Sequence, residues 1–531
     1  MAYDVIVVGG GMAGLTAAAY LCKAGRRVLL CEKEERLGGL VGSFRHGGYV
    51  FDAGIRAMEN SGVLFPMLRS LGLQVDFVRS GVTIGVGDAA VSLESAQSIV
   101  AYQKMLTEQF PSDARGLEAF IGLVKKAMGF MDVLYGIDNP LFLENIRDPV
   151  YLRKTLLPWM VRYVMNVGKI KRFSMPVEEC LATIISNPAL VDVLAQHFFK
   201  RTPAFFALSY FSLYLDYCYP MGGTGKLVEA MEGYIRAHGG EIRTSTEIRR
   251  VDPSGKTVED ASGNKDEYGR LVWCADQRAL YQSLRQLELL PRKTRETLVA
   301  RRAFLEDKEG GDSVLTLYLE TGLDKEYFAQ RHGPHFFHTP SKLGLGAVAV
   351  AIGDARAGYS GERDTVFAFL REYLKLTTYE ISVPALRDES LAPPGKTGLI
   401  ISTLMDYPLV RHIQEQGWYD AFKALCREEI AAVLTASAYP GLRDKIEDGF
   451  VSTPLTLMRR TGNTGGAITG WAFTNSVMPA VSSMPAIAKS VRTPIPGVLQ
   501  AGQWSFSPSG LPVSILTGKL AADLALKQLR R

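Results

Sequence analysis

"VIVVGGGMAGLTAAAYLCKAGRRVLLCE" runs from Val5 to Glu32 and decides the fold. The β-branched run "DVIVVGG" predicts a short strand buried on both faces. "MAGLTAAAYLCKAG" has a helical period and stops at Gly25, as a helix with a glycine C-cap does. "RRVLLCE" predicts a second strand that ends on an acid. Between strand and helix, Gly9, Gly11 and Gly14 stand in a G-x-G-x-x-G pattern. Gly9 permits the tight turn, Gly11 lets a pyrophosphate approach the backbone, and Gly14 lets the helix pack on the strand. Met12 and Ala13 open the helix, whose N-terminus faces the phosphates. Glu32, with Lys33 beside it, takes the place of the ribose-binding carboxylate. A glycine-rich turn without a ligand would need none of these parts in register.

Three other stretches invite similar readings. In "IGVGDAAVSL" (84–93) β-branched residues flank Gly87-Asp88, which predicts a hairpin. "LGLGAVAVAIGD" (343–354) alternates like a strand. "PPGKTG" (393–398) lacks the first glycine of a phosphate loop, since residue 390 is Ser, and reads as a turn.

The 531 residues exceed one ordinary core, so two or more domains are expected. A composition of 47% hydrophobic and 22% charged residues is that of a globular chain. The net charge of +5 is too slight over this length to suggest nucleic acid as a partner. Six scattered cysteines without a C-x-x-C pair read as reduced thiols in a cytoplasmic protein. No secretory leader is expected before a strand that starts at Tyr3, and no apolar run of about 18 residues predicts a membrane span.

Beyond Glu32 comes "KEERLGGLVGSFRHGGYVFDAGIRA", with Gly38-Gly39 and then Asp52 and Gly54. Here the sequence resembles the FAD-binding amine oxidase superfamily. A nicotinamide dehydrogenase has no use for that second glycine-rich segment, whereas the long ribityl-isoalloxazine arm of FAD does. "YPMGGTGKLVEAMEGYIRAHGGEIRTSTEIRRV" (219–251) resembles the superfamily's return to the flavin domain. The resemblance implies an amphipathic helix there, with Leu227, Val228, Met231, Tyr234 and Ile235 on one side, and a backbone contact to adenine near Ile248. "PGVLQAGQWSFSPSGLPVSILTGKLAADLAL" resembles the closing signature. It implies a strand delivering Gly502, a loop passing the flavin at Gly510, Leu511, Pro512 and Val513, and a helix from about Pro512. Gln503 stands where the superfamily usually has Asp, and Leu40 where it often has Arg.

Within the superfamily, "TGNTGGAITGW" (461–471) and "DESLAPPGKTGLI" (388–400) resemble the phytoene desaturase, carotenoid isomerase and retinol saturase group. The implied fold is α/β: a Rossmann-like FAD domain, discontinuous over 1–75, 219–280 and 490–531, with an α+β substrate domain from 76–218 and 281–489.

Two segments of that second domain are expected to meet substrate. "RTPAFFALSYFSLYLDYCYP" (201–220) is dense in aromatics, which is either ordinary core or the stiff wall of an apolar tunnel. In "YLRKTLLPWMVRYVMNVGKIKRF" (151–173), Leu157, Met160, Val161, Val164 and Gly168 fall at helical spacing. Arg162, Asn166 and Lys169 share another face, with Lys171 and Arg172 adding charge. This is either a helix with a solvated basic face or one lying on a membrane surface. The histidines of "HGPHFFH" (332–338) have no zinc spacing, so no metal is expected.

The resemblance implies hydride exchange between FAD and an apolar polyene or isoprenoid lipid: desaturation, saturation or isomerisation. Oxidation of a small amine, or flavin-free lipid binding like that of GDP dissociation inhibitors, are the alternatives. Arg56, Glu59, Asp216 and Tyr219 are acid–base candidates, and none is assigned from sequence.

Overall fold

The computed structural model describes residues 2–143, 148–170, 173–354 and 358–530. Strand β1 (Tyr3–Val8), helix α1 (Met12–Lys23) and strand β2 (Val28–Cys31) form the expected βαβ unit. β1 and β2 pair in parallel, Val5 against Val28 through Val8 against Cys31. The strand Lys265–Trp273 adds in parallel on the other side of β1. Glu241–Arg243 extends the sheet beyond β2, and Val498–Gln500 pairs with Leu271–Trp273. Strands from three distant stretches thus make one parallel core, and the sheet ends in two antiparallel strands, Thr257–Asp260 and Ile248–Asp252.

The small side chains of α1 set the packing on one face. Ala17, Ala18 and Ala19 are fully buried in the core that also takes in Ala521, Ala522 and Ala525 of the helix Leu511–Leu529. A Cβ on Gly518 would lie 2.4 Å from the Ala13 carbonyl oxygen, so the two helices meet backbone to backbone. Leu227, Val228, Met231 and Ile235 of the helix Gly225–Ala237 fill the same core, with Tyr234 half-buried at its edge. The opposite face, Ile6, Leu29 and Leu271, is covered by Leu298, Leu305 and Trp471. These come from the 281–489 stretch expected in the substrate domain. Their apolar side chains are needed to cover a sheet whose strands are buried on both faces.

The second sheet has seven strands, in the order Ile446–Ser452, Val314–Thr321, Thr397–Leu404, Tyr379–Ser382, His335–Thr339, Val82–Val86 and Ala89–Leu93. Side chains alternate across it with the strand period. Leu315, Leu317, Leu319, Ile381, Leu399 and Ile401 face the helices Arg363–Leu376 and Tyr419–Ser437. The residues between them, Thr316, Ser402 and Glu380, face an internal cavity.

The hairpin at 84–93 is present, Val86 pairing Ala89 across Gly87-Asp88. The stretch 393–398 is a turn closed by Lys396 N to Pro393 O at 3.1 Å. The alternating stretch 343–354 is not one continuous strand: it holds a 3₁₀ turn, Leu345–Ala347, then irregular chain, and only Gly353–Asp354 pairs, with Gly358–Tyr359. Its donors go to side chains instead of a neighbouring strand, Gly346 N to Asp192 at 2.7 Å and Ala349 N to Glu372 at 2.8 Å.

The helix Leu157–Ile170 buries none of its residues. Trp159 anchors it, donating Nε1–H to the Val133 carbonyl at 2.6 Å. Its apolar side points outward: Val161, Val164 and Met165 are 60%, 69% and 64% exposed. Lys171 and Arg172 lie outside the described residues. No helix among the described residues is long and apolar enough to cross a membrane. All six cysteines are free.

Candidate active site

Gly9 donates to the Cys31 carbonyl at 2.8 Å and turns with φ +103°, which closes the loop between β1 and α1. A Cβ on Gly14 would lie 1.9 Å from the Gly9 carbonyl oxygen, so only glycine lets the helix seat there. A Cβ on Gly11 would meet nothing within 4 Å, leaving open space above the first helical turn. Glu32 frames that space. Its Oε2 accepts from Gly10 N at 2.6 Å and its Oε1 from Glu34 N at 3.0 Å. Burial raises its pKa, with the two N–H bonds acting against that rise.

The second glycine segment crosses the first, Gly38 donating to the Gly10 carbonyl at 2.9 Å. Thr246 N meets the Glu32 carbonyl at 2.7 Å and Ser245 N the Glu34 carbonyl at 2.9 Å. Ile248 follows two residues after Thr246, at the start of the strand Ile248–Asp252. Lys33 turns away, donating from Nζ to the Arg459 carbonyl at 2.5 Å.

The tail also meets the front at Gly502. A Cβ on Gly502 would stand 3.2 Å from Ala13 Cβ, and Gly502 N is fixed by Thr517 Oγ1 at 2.9 Å. From there the chain passes Gln503, whose carbonyl lies against Gly470, to the loop Gly510–Val513. The helices starting at Met12 and Leu511 both lack a side-chain cap and carry no acid in the first turn. Two uncapped helix N-termini beside a glycine cradle fit an anionic dinucleotide with a further ring system.

Asp52, expected at the cofactor, has its carboxylate bonded within the chain. Its carboxylate is 1% exposed and accepts from Ser43 Oγ (2.9 Å), Thr224 N (2.9 Å), Thr224 Oγ1 (2.8 Å) and Tyr219 OH (2.8 Å). Asp52 clasps the glycine segment to the return turn at 219–225. Gly54 is held tightly too, since a Cβ there would lie 2.1 Å from the Leu40 carbonyl oxygen.

A cavity of about 810 Å³ opens in front of the tail loop. Gly54, Gly510, Leu511, Pro512 and Val513 line it, and so do Val167, Ile170 and Phe173. The aromatic stretch divides between the two readings left open for it. Phe205, Phe206, Tyr210, Tyr214 and Tyr217 wall the cavity, whereas Phe211 packs in the core on Tyr102.

The four acid–base candidates separate here. Tyr219 is spent on Asp52, and Asp216 accepts from Asn60 N (2.9 Å) and Ser61 N (3.1 Å) outside the cavity lining. Arg56 and Glu59 line the cavity. Arg56 donates to the Asp52 carbonyl at 3.0 Å and to Ser402 Oγ at 2.9 Å. Burial pushes the Glu59 carboxyl up to about 7.

Two further titratable groups, His335 and Glu380, meet in the cavity at 3.0 Å. The histidines of 332–338 do not converge: His332 stacks on Phe336, His335 takes Glu380, and His338 meets Ser437 Oγ at 2.8 Å. Among the described residues, His46, Glu320 and Asp448 bring ligand-type atoms within 4.8 Å of one another, and His46 Nδ1 is already paired with Glu320 at 2.7 Å. Trp504 packs edge-on against Trp471 at 4.8 Å, whereas Phe506 lines the cavity.

This geometry defines an α/β fold in which a glycine-lined cradle stands beside a large cavity. Residues 12–306 match the family described as flavin containing amine oxidoreductase. The chain belongs to that family, its cofactor is FAD, and it is an FAD-dependent oxidoreductase. An inactive all-trans-retinol 13,14-reductase from Danio rerio is 27% identical over 47% of this chain, a match spanning 42% of that relative. A chloroplastic prolycopene isomerase from Daucus carota is 23% identical over 99% of this chain and 81% of its own length. Cyclohexylamine oxidase from Brevibacterium oxydans shares the fold over the full length of both chains, with a TM-score of 0.57 at 14% identity.

Proposed function

We propose that this protein uses FAD to desaturate, saturate or isomerise double bonds of an apolar polyene or isoprenoid lipid, which it takes up from a membrane surface. The observation that carries this reading is the lining of the cavity. The tail loop Gly510–Val513 shares it with Val167 and Ile170 of the helix Leu157–Ile170. The same helix turns Val161, Val164 and Met165 outward and carries Arg162 and Lys169. An apolar outer side with basic residues beside it suits a helix resting in anionic headgroups. Relatives named as acting on prolycopene and on all-trans-retinol support the same substrate class.

FAD, when bound, supplies two-electron hydride chemistry. The chain's own part is to hold an extended apolar molecule against the loop at 510–513, to exclude water with Phe205, Phe206 and Tyr210, and to provide a proton at Glu59. Mass spectrometry of lipids that co-purify with the protein tests this. A conjugated or isoprenoid lipid retained in proportion to FAD is the expected result. Recovery of polar amines alone would defeat it.

A further inference from the structure

The sheet that floors the cavity is not uniformly apolar. Ser452 pairs Thr316, Thr316 pairs Ser402, and Ser402 pairs Glu380, so four polar side chains form one row straight across four strands. All four line the cavity. The row is tied together at 2.9 Å between Thr316 Oγ1 and Ser402 Oγ, and Arg56 donates to Ser402 from the side. Beyond Glu380 the row continues into Phe337, which packs on Tyr214 at 5.1 Å.

Glu380 is the anomaly. A purely hydrocarbon substrate gives no reason to keep a carboxylate in its channel, because an unpaired charge there is costly. Burial opposes its ionisation, but the hydrogen bond from His335 and the guanidiniums of Arg56 and Arg387 outweigh burial and lower its pKa. Burial in turn lowers the pKa of His335, which is 1% exposed, with Glu380 acting against that fall. A carboxylate can only accept, so His335 donates from Nε2 to Glu380 Oε1 at 3.0 Å. His335 is itself held by Tyr217, stacked at 5.6 Å. Oε2 of Glu380 has no partner among the described residues, and the side chain is 35% exposed, to the cavity.

We infer that Glu380 and the hydroxyl row beside it bind a hydroxyl group on the substrate, making that substrate a polyene or isoprenoid alcohol in place of a pure hydrocarbon. This rests on the polyene reading above and names its polar end. An acceptor oxygen facing a cavity selects a donor. The two guanidiniums close to Glu380 offset its negative field, which favours a neutral hydroxyl over an ammonium. The row's own hydroxyls can both accept from and donate to the same group.

The test uses the FAD-loaded protein and three matched ligands: all-trans-retinol, the hydrocarbon with a methyl in place of its hydroxymethyl, and the corresponding primary amine. Affinity is read from quenching of tryptophan fluorescence, with no turnover required. The alcohol is expected to bind at least about tenfold tighter than the hydrocarbon, the effect of one hydrogen bond to a charged acceptor. Glu380→Gln should bring the two within about threefold while leaving the hydrocarbon's affinity unchanged, which also shows that the variant is folded. Equal affinities in the unmodified protein would overturn the inference, as would tightest binding by the amine. Failure of all three to bind would instead sink the polyene reading itself, and this inference with it.

Discussion

Oε1 of Glu59 stands 3.7 Å from the point where a Cβ on Gly510 would lie, at the start of the helix Leu511–Leu529. The strand Met58–Glu59 sets this, because Glu59 pairs Tyr217 across a short antiparallel ladder. A carboxyl so placed borders both the loop Gly510–Val513 and the cavity.

Glu59 makes stability depend on pH in a direction opposite to most acids. Its folded pKa of about 7 exceeds the ordinary 4.5, chiefly through burial, with Asp216 adding repulsion. The folded state therefore holds this proton more tightly than the unfolded state does. The contribution is complete below about pH 4.5 and is lost as pH rises through about 7. On the order of 2–3 kcal/mol should disappear from unfolding free energy across that window. Glu59→Gln should flatten the decline when urea midpoints are compared at several pH values. The same variant should slow any protonation step of turnover.

Glu32→Ala should weaken FAD retention by about tenfold or more, since it removes the anion that orients Gly10 N and Glu34 N at the ribose end. Flavin absorbance remaining after dialysis measures this, and unchanged occupancy would count against the ribose role.

Val164→Glu combined with Met165→Glu should abolish sedimentation with anionic liposomes at low salt. Both positions are more than half exposed, so stability should shift by no more than about 0.5 kcal/mol each. Binding that survives both changes would remove the membrane role of this helix.

Asp52→Asn should cost about 2–4 kcal/mol. The amide would turn an N–H₂ toward groups that all donate to the acid, leaving buried donors unmatched. A lowered urea midpoint with an unchanged slope is the expected signature. FAD bound at unchanged affinity in the surviving folded fraction would confirm a clasp rather than a ligand.

The contrast between Gly14 and Asp52 shows where the sequence was legible. Gly14 is dictated by a contact with Gly9 five residues away, so motif and structure coincide. The hairpin at Gly87-Asp88 is likewise a local matter of turn chemistry. The glycine-rich block around Asp52 gives no sign of its buried partner Thr224, 172 residues away. The stretch 343–354 alternates convincingly, but acceptors on Asp192 and Glu372 claim its N–H groups before a strand can. Glu380 and His335 were missed for a related reason. Their approach follows from the register between His335–Thr339 and Tyr379–Ser382, which no local pattern specifies. Period-two alternation in "TGLIISTL", with Ser402 amid buried aliphatics, was the one available signal.

The most direct measurement is the absorption spectrum of a polyene offered on anionic liposomes to the FAD-loaded protein under anaerobic conditions, with flavin bands followed in parallel. A shift in the polyene bands at the rate of turnover, showing a changed number or geometry of conjugated double bonds, is the predicted result. A polyene spectrum that stays fixed while the same preparation oxidises a primary amine would contradict the account.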